Sequence, residues 1–179
     1  MFINQTIIKF LFFLFCFSIF SSISQTNEDV PLNNIAINEI PKPISSLIFE
    51  DFSGNEINLN HYVGKLVIIN FWATWCAPCK KEMPSLDKLY QVNNFKNLQV
   101  FAVNMEQPNT LKTKKFFTNL NIQKLEIFFD RNLNFVKEFK LRGVPTTVLI
   151  NKKGEEFARI IGEVNFQDKK FLKWLLKYD

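Results

Sequence analysis

Residues 71–84 read FWATWCAPCKKEMP. They close an apolar run, LVIINFW at 66–72, and open a stretch in which Cys76 and Cys79 stand three apart, with Trp75 before them and Pro78 between. A continuous β-rich apolar run is what a strand covered on both faces looks like. After Cys76 the period changes. Met83, Leu86, Leu89 and Tyr90 recur at spacings of three and four, which predicts a helix from Cys76 to about Val92. The cysteine pair therefore sits where a buried strand hands over to a helix.

A pair at that spacing has three uses. As a structural staple it achieves little, because the chain-entropy benefit grows with the loop closed and a four-residue ring gives only about 2 kcal/mol. As a structural zinc site it needs four Cys or His ligands. Beyond residue 24 the chain has Cys76, Cys79 and His61, and His61 reads as a surface or capping residue. A two-thiolate copper(I) site remains the metal use. A copper-binding assembly factor would want further His or Met ligands, however, and Met83 and Met105 fall at core-like positions. As a reagent the pair explains more. The unpaired N–H groups and positive partial charge of a helix N-terminus stabilise a thiolate. Cys76, at the junction, is predicted to be the exposed, acidified nucleophile. Pro78 suits a first turn that needs no N–H, and Cys79, one turn on, can resolve a mixed disulfide.

The rest of the chain sets the context. Its 179 residues, 47% hydrophobic and 22% charged, suit one globular domain. The formal charge of +5 is dispersed among alternating acidic and basic residues. That argues against a nucleic-acid footprint, which clusters on one face, and leaves acidic partners or anionic lipid as what such an excess favours. Residues 1–24 carry Lys9, an apolar core at 10–20 and a small-x-small pattern at Ser22-Ile23-Ser24. They read as a signal peptide or a retained N-terminal membrane anchor, and Cys16, preceded by Phe15, is not a lipidation site. Residues 25–43, with three prolines and no clear period, read as a linker. The domain is then 44–179. In it, strands are predicted near 46–50, 56–59, 66–72, 98–105, 125–130, 146–151 and 155–162, and helices near 76–92, 110–120, 133–139 and 166–178. Strands alternating with helices, then a hairpin and a closing helix, describe an α/β sandwich with a mixed sheet.

Phe71-Trp72-Ala73-x-Trp75-Cys76-x-Pro78-Cys79 resembles the thioredoxin motif, and Gly143-Val144-Pro145-Thr146 resembles that superfamily's cis-proline loop. Pro84 falls where thioredoxins kink the active-site helix. Within the superfamily the chain is similar to the TlpA/ResA group of exported, often membrane-anchored proteins. It shares an N-terminal hairpin, the continuation Cys-x-x-Cys-x-x-Glu-x-Pro at Glu82 and Pro84, and a helix-strand insertion at 109–130. The resemblance implies an AhpC/TSA-like thioredoxin fold, with a mixed central sheet flanked by helices, and thiol-disulfide exchange by Cys76 and Cys79 with no cofactor beyond that pair. It further implies a monomeric reductant acting in the bacterial periplasm, soluble or anchored to the inner membrane. Its partners would be the thiols and disulfides of exported proteins, apocytochrome c or respiratory oxidase assembly factors, and a membrane reductant would serve it. Substrate contact would fall on Trp75, Pro78, Val144 and Pro145; a cis-proline offers no N–H and leaves the Val144 edge free for an extended partner.

A disulfide-forming oxidant would bring a larger helical insertion, and a peroxide-reducing enzyme a Thr and Pro upstream of its nucleophile. One departure stands out. Asn70 occupies the place of the buried aspartate that serves the resolving thiol in thioredoxins, and Asn cannot ionise, so Glu82 is the available proton acceptor.

Fractionation of cells making the full chain is expected to find it outside the cytoplasm. Recovery of the full-length protein, reduced and soluble, from the cytoplasm would end the export reading.

Overall fold

The computed structural model describes residues 32–92 and 94–179. The segment read as signal peptide or anchor, with Cys16, lies outside the described residues.

The strand β4 (Leu66–Trp72) is buried at every one of its positions. It pairs in parallel with β5 (Leu98–Asn104) and antiparallel with β7 (Thr146–Ile150), so both of its edges are satisfied. Side chains alternate across a strand, and the two faces of β4 found two cores. Leu66, Ile68 and Trp72 pack with Met83, Leu86 and Leu89 of helix α1 (Ala77–Leu89), with Phe116 and Phe117 of α2 (Thr110–Asn119), and with the C-terminal helix. Val67, Ile69 and Phe71 face the other way, onto Phe101, Phe128, Phe135 and Phe139. Aromatic rings dominate that second core: Phe49 stands edge-on to Phe101 at 4.9 Å between centroids. Such geometry is favoured by the ring quadrupoles.

The remaining strands are β1 (Ile35–Pro43), β2 (Ile48–Asp51), β3 (Glu56–Asn58), β6 (Ile127–Phe129) and β8 (Glu155–Ile161). With β4, β5 and β7 they form, among the described residues, one eight-stranded mixed sheet in the order β1-β8-β7-β4-β5-β6-β2-β3. The predicted N-terminal hairpin is β2 with β3, Ile48 opposite Asn58. The predicted insertion is α2 with β6. Two short helices complete the set, α3 (Asn134–Phe139) and α4 (Lys169–Leu175). The closing helix starts later than its apolar period predicts, because Asp168 caps it by accepting from the N–H groups of Lys170 and Phe171.

The linker reading fails over residues 35–43. They form β1, antiparallel to β8 with Ile35 opposite Ile160 and Pro43 opposite Glu155. Leu32 and Ile35 pack on the core, so the domain extends N-terminal of residue 44. Pro41 and Pro43 are tolerated because β1 is an edge strand, where one side of the backbone needs no donors, and the register slips between Ile37 and Lys42.

A buried carboxylate holds the insertion against α1. Asp87 is 5% exposed and accepts from the backbone N–H groups of Gln123, Lys124 and Leu125, the closest at 2.7 Å. Asp87→Ala leaves those donors unpaired and is expected to destabilise the fold by about 3 kcal/mol, with Asp87→Asn in between because one amide oxygen still accepts. Denaturant midpoints of the two variants check this; an unchanged midpoint in Asp87→Ala would remove the tether from the account.

Candidate active site

Phe71 of β4 stands opposite Thr146 of β7. The loop leaving β4, residues 73–76, and the loop entering β7, residues 143–145, therefore emerge at the same end of the sheet. The first delivers the cysteines and the second the proline.

Cys76 is the N-cap of α1 and Pro78 lies in the first turn, as the sequence predicts. Cys76 and Cys79 are bonded, S–S 2.05 Å. The Cys76 sulfur accepts the Cys79 N–H at 3.2 Å, while the Cys76 carbonyl accepts that of Lys80. Here one expectation is corrected. Cys76 is not an exposed thiol in this oxidised state; it is 3% accessible and Cys79 0%. A capping side chain turns over the helix end to meet the free N–H groups, and that turn folds the sulfur inward. The exposed residues of the motif are Trp75, at 69%, and Ala77 and Pro78 between the cysteines.

The Val144–Pro145 peptide bond is cis, as the motif implies. Thr146 donates its hydroxyl to the Gly143 carbonyl at 2.8 Å, and the Pro145 carbonyl accepts the Gly162 N–H at 3.0 Å, so the loop is held from both sides. The Val144 N–H and C=O have no hydrogen-bond partner among the described residues.

Beneath the cysteines lies a polar pair inside the core. Asn70 shares a face with Ile68 and Trp72, which turns it toward α1, and Glu82 is one turn beyond Cys79. Asn70 donates from Nδ2 to Glu82 Oε1 at 2.8 Å and to Thr147 Oγ1 at 3.0 Å. Glu82 Oε2 accepts the Val164 N–H at 3.1 Å. Glu82 is 2% exposed, so it is no solvated helix carboxylate. Burial pushes its pKa up to about 7, against the downward pull of the Asn70 and Val164 hydrogen bonds, and Glu163 adds a further upward push. It borders a recess of ≈ 290 Å³ shared with Lys81, Ser85 and Glu163.

Glu106 belongs to the site and no sequence period marks it. Its carboxylate accepts the Thr74 N–H and hydroxyl at 2.5 and 2.9 Å and the Lys112 ammonium at 2.6 Å. Burial pushes its carboxyl up, but the bonds from Lys112 and Thr74 outweigh that and leave it below the usual value. The turn before Cys76 is thereby pinned to α2.

This fold, with a bonded Cys-x-x-Cys on a helix N-terminus and a cis-proline beside it, defines a thioredoxin-like dithiol protein. The chain belongs to the AhpC/TSA family, which it matches over residues 40–155. It groups there with thiol-disulfide oxidoreductases. It is 36% identical over 110 residues to the thiol-disulfide oxidoreductase ResA of Halalkalibacterium halodurans, a match spanning 62% of this chain and 61% of that one. It is 35% identical over 121 residues to the protein of the same name in Geobacillus kaustophilus, spanning 68% of each. Among solved structures, StoA of Bacillus subtilis is similar with a TM-score of 0.61 at 24% identity, covering 77% of this chain and 98% of that one.

The raised pKa of Glu82 has a consequence for stability. A carboxyl whose folded value lies above its unfolded value favours folding at low pH, and that contribution is lost as pH rises through the folded value. Between pH 4.5 and about 7 the loss amounts to about 3 kcal/mol once ionisation is complete. Glu82→Gln removes the ionisation, and reversal of the Asn70 amide keeps the new side chain hydrogen-bonded. The oxidised variant is therefore expected to gain stability over wild type at pH 8 and to match it near pH 4. Denaturant midpoints at both pH values decide it; a constant difference would mean that Glu82 does not titrate in this range.

Proposed function

We propose that this chain is an exported reductant of protein disulfides, held in the bacterial periplasm by an anchor or released there after cleavage within residues 1–24. Its clients would be apocytochrome c or the assembly factors of a respiratory oxidase. The observation that carries the reading is the bonded Cys76–Cys79 pair at the N-terminus of α1, with Glu82 buried one turn below Cys79.

In the reduced chain the Cys76 thiolate attacks one sulfur of a client disulfide. The client S–S bond breaks, a mixed disulfide forms at Cys76, and the departing client sulfur takes up a proton. Cys76 suits this role because, of the two cysteines, it alone retains any exposure and because the helix end favours its anion. Cys79 then loses its proton and attacks the Cys76 sulfur. The second client thiol leaves, and the chain is left as the disulfide. The Cys79 proton needs an acceptor, and Asn70 is none. Glu82, with a pKa of about 7, is divided between its two forms near neutrality and serves both as acceptor and as donor. A membrane reductant then returns two electrons and two protons to the pair.

The extended backbone of a client would pair with the open N–H and C=O of Val144, beside Pro145, while Trp75 and Pro78 meet its side chains. The sequence of residues 1–24 supports the location, and the kinship with thiol-disulfide oxidoreductases supports the chemistry.

Trapping tests the reading. Cys79→Ser is expected to accumulate mixed disulfides with client proteins through Cys76, and Cys76→Ser to accumulate few or none, as read by diagonal electrophoresis. If Cys76→Ser traps clients and Cys79→Ser does not, the two roles are reversed; if neither does, the exchange reading is lost.

A further inference from the structure

Two open recesses flank the loops that carry the cysteines and the proline. One, of ≈ 330 Å³, is bordered by Trp75, Lys80, Lys112 and Lys115. The other, of ≈ 560 Å³, is bordered by Lys140, Arg142, Pro145, Arg159 and Ile161. Neither is bordered by a carboxylate. Three carboxylates of the surrounding segments are already engaged: Glu106 with Lys112, Glu156 with Arg159 and Glu163 with Lys81. That leaves Lys80 and Lys115 on one side and Lys140 and Arg142 on the other, all exposed and none ion-paired among the described residues. An exposed apolar side chain accompanies each pair of cations, Trp75 at 69% and Ile161 at 65%.

We propose that these two recesses form the client-docking surface, and that it selects an extended protein segment with Asp or Glu on both flanks of its disulfide. The inference rests on the exchange reading and adds the chemistry of the substrate. The free Val144 backbone gives such a segment its line across the site, since an added strand takes its hydrogen bonds from the main chain and its specificity from side-chain pockets. The uncompensated cations on both sides then choose the segment by charge. Paired Lys112 and Arg159 fix the recess walls and add little net charge. Complementary rim charges of this kind act mainly on encounter rate and partner choice, and salt screens them. The apolar contacts at Trp75 and Ile161 are not screened and favour an acidic segment that also carries apolar residues.

The test uses the full chain, reduced and freed of excess reductant, in single-turnover reactions. The probes are two disulfide peptides of the same length, one flanked by Glu and one by Lys, and a small uncharged dialkyl disulfide. In each reaction the chain dithiol becomes its disulfide and the probe disulfide becomes two thiols, so no other reductant is needed. At low ionic strength the Glu-flanked peptide is expected to react on the order of tenfold faster than the Lys-flanked one. At about 1 M salt, where the screening length is ~3 Å, the two rates should converge. Lys115→Glu combined with Arg142→Glu should reverse the order, and Lys115→Gln with Arg142→Gln should shrink the preference without reversing it.

Equal rates for the two peptides, with the uncharged disulfide still turned over, would overturn the docking proposal and leave the exchange reading standing. Failure to turn over even the uncharged disulfide would overturn both. If the charge-reversed chain keeps the wild-type peptide preference but loses retention on phosphatidylglycerol vesicles, the cations serve a lipid surface and the peptide proposal is wrong.

Discussion

The constraint on which the structure depends is that β4 is buried on both faces and paired on both edges. A strand so placed cannot slip by one residue without turning its whole pattern inside out. Leu66, Ile68 and Trp72 are committed to the α1 side, and Val67, Ile69 and Phe71 to the phenylalanine-rich side. The register with β7 is fixed at the same time, Phe71 against Thr146, and with it the position of the cis-proline loop relative to the cysteines. The reactive pair is thus placed by the part of the molecule least able to move. Asn70 is the single polar residue of that strand and must find its partners inside the core.

Those partners turn a packing problem into a chemical one. A buried carboxylate without hydrogen bonds is strongly disfavoured as an anion, and one with several is held as an anion well below neutrality. Glu82 has two, from Asn70 and Val164, set against almost complete burial. The balance leaves its pKa at about 7. An aspartate at position 70 would have placed a second ionisable group against Glu82, and like charges at that distance repel. Asn70 instead donates, orients the carboxylate and carries no charge of its own. Its Oδ1 has no partner among the described residues, which lets the amide reverse when Glu82 presents a proton instead of a lone pair.

Much of this was legible in the sequence, for identifiable reasons. The change from a continuous apolar run to a period of three and four located the strand-helix junction, and the junction located Cys76. Glu82 falls on the same helical face as Cys79, Leu86 and Leu89, so its side of the helix could be read; its depth could not, because Val164, which closes over it, is far away in the chain. Asp87 was hidden similarly, since what buries it is the loop at Gln123–Leu125. Strand β1 was lost because proline carries the same signal in a linker and in an edge strand, and only the neighbour β8 distinguishes them. The inward turn of Cys76 follows from capping geometry, which residue spacing does not report.

Glu106 shows why the helix-strand insertion belongs to the site. The turn from Ala73 to Trp75 has little to hold it from within: the Ala73 carbonyl accepts the Cys76 N–H, and the Trp72 carbonyl accepts that of Met105. Its outward side is fixed by Glu106, which accepts from both donors of Thr74, the N–H and the hydroxyl, and is itself neutralised by Lys112 in the first turn of α2. A carboxylate with several charge-assisted bonds is a stiff joint. α2 is in turn packed through Phe116 and Phe117 against Trp72, so the insertion and the turn before Cys76 are joined by packing as well as by Glu106. The recess beside Trp75 is walled by that same helix. Its walls are therefore held by the same Glu106 joint that fixes the turn before Cys76.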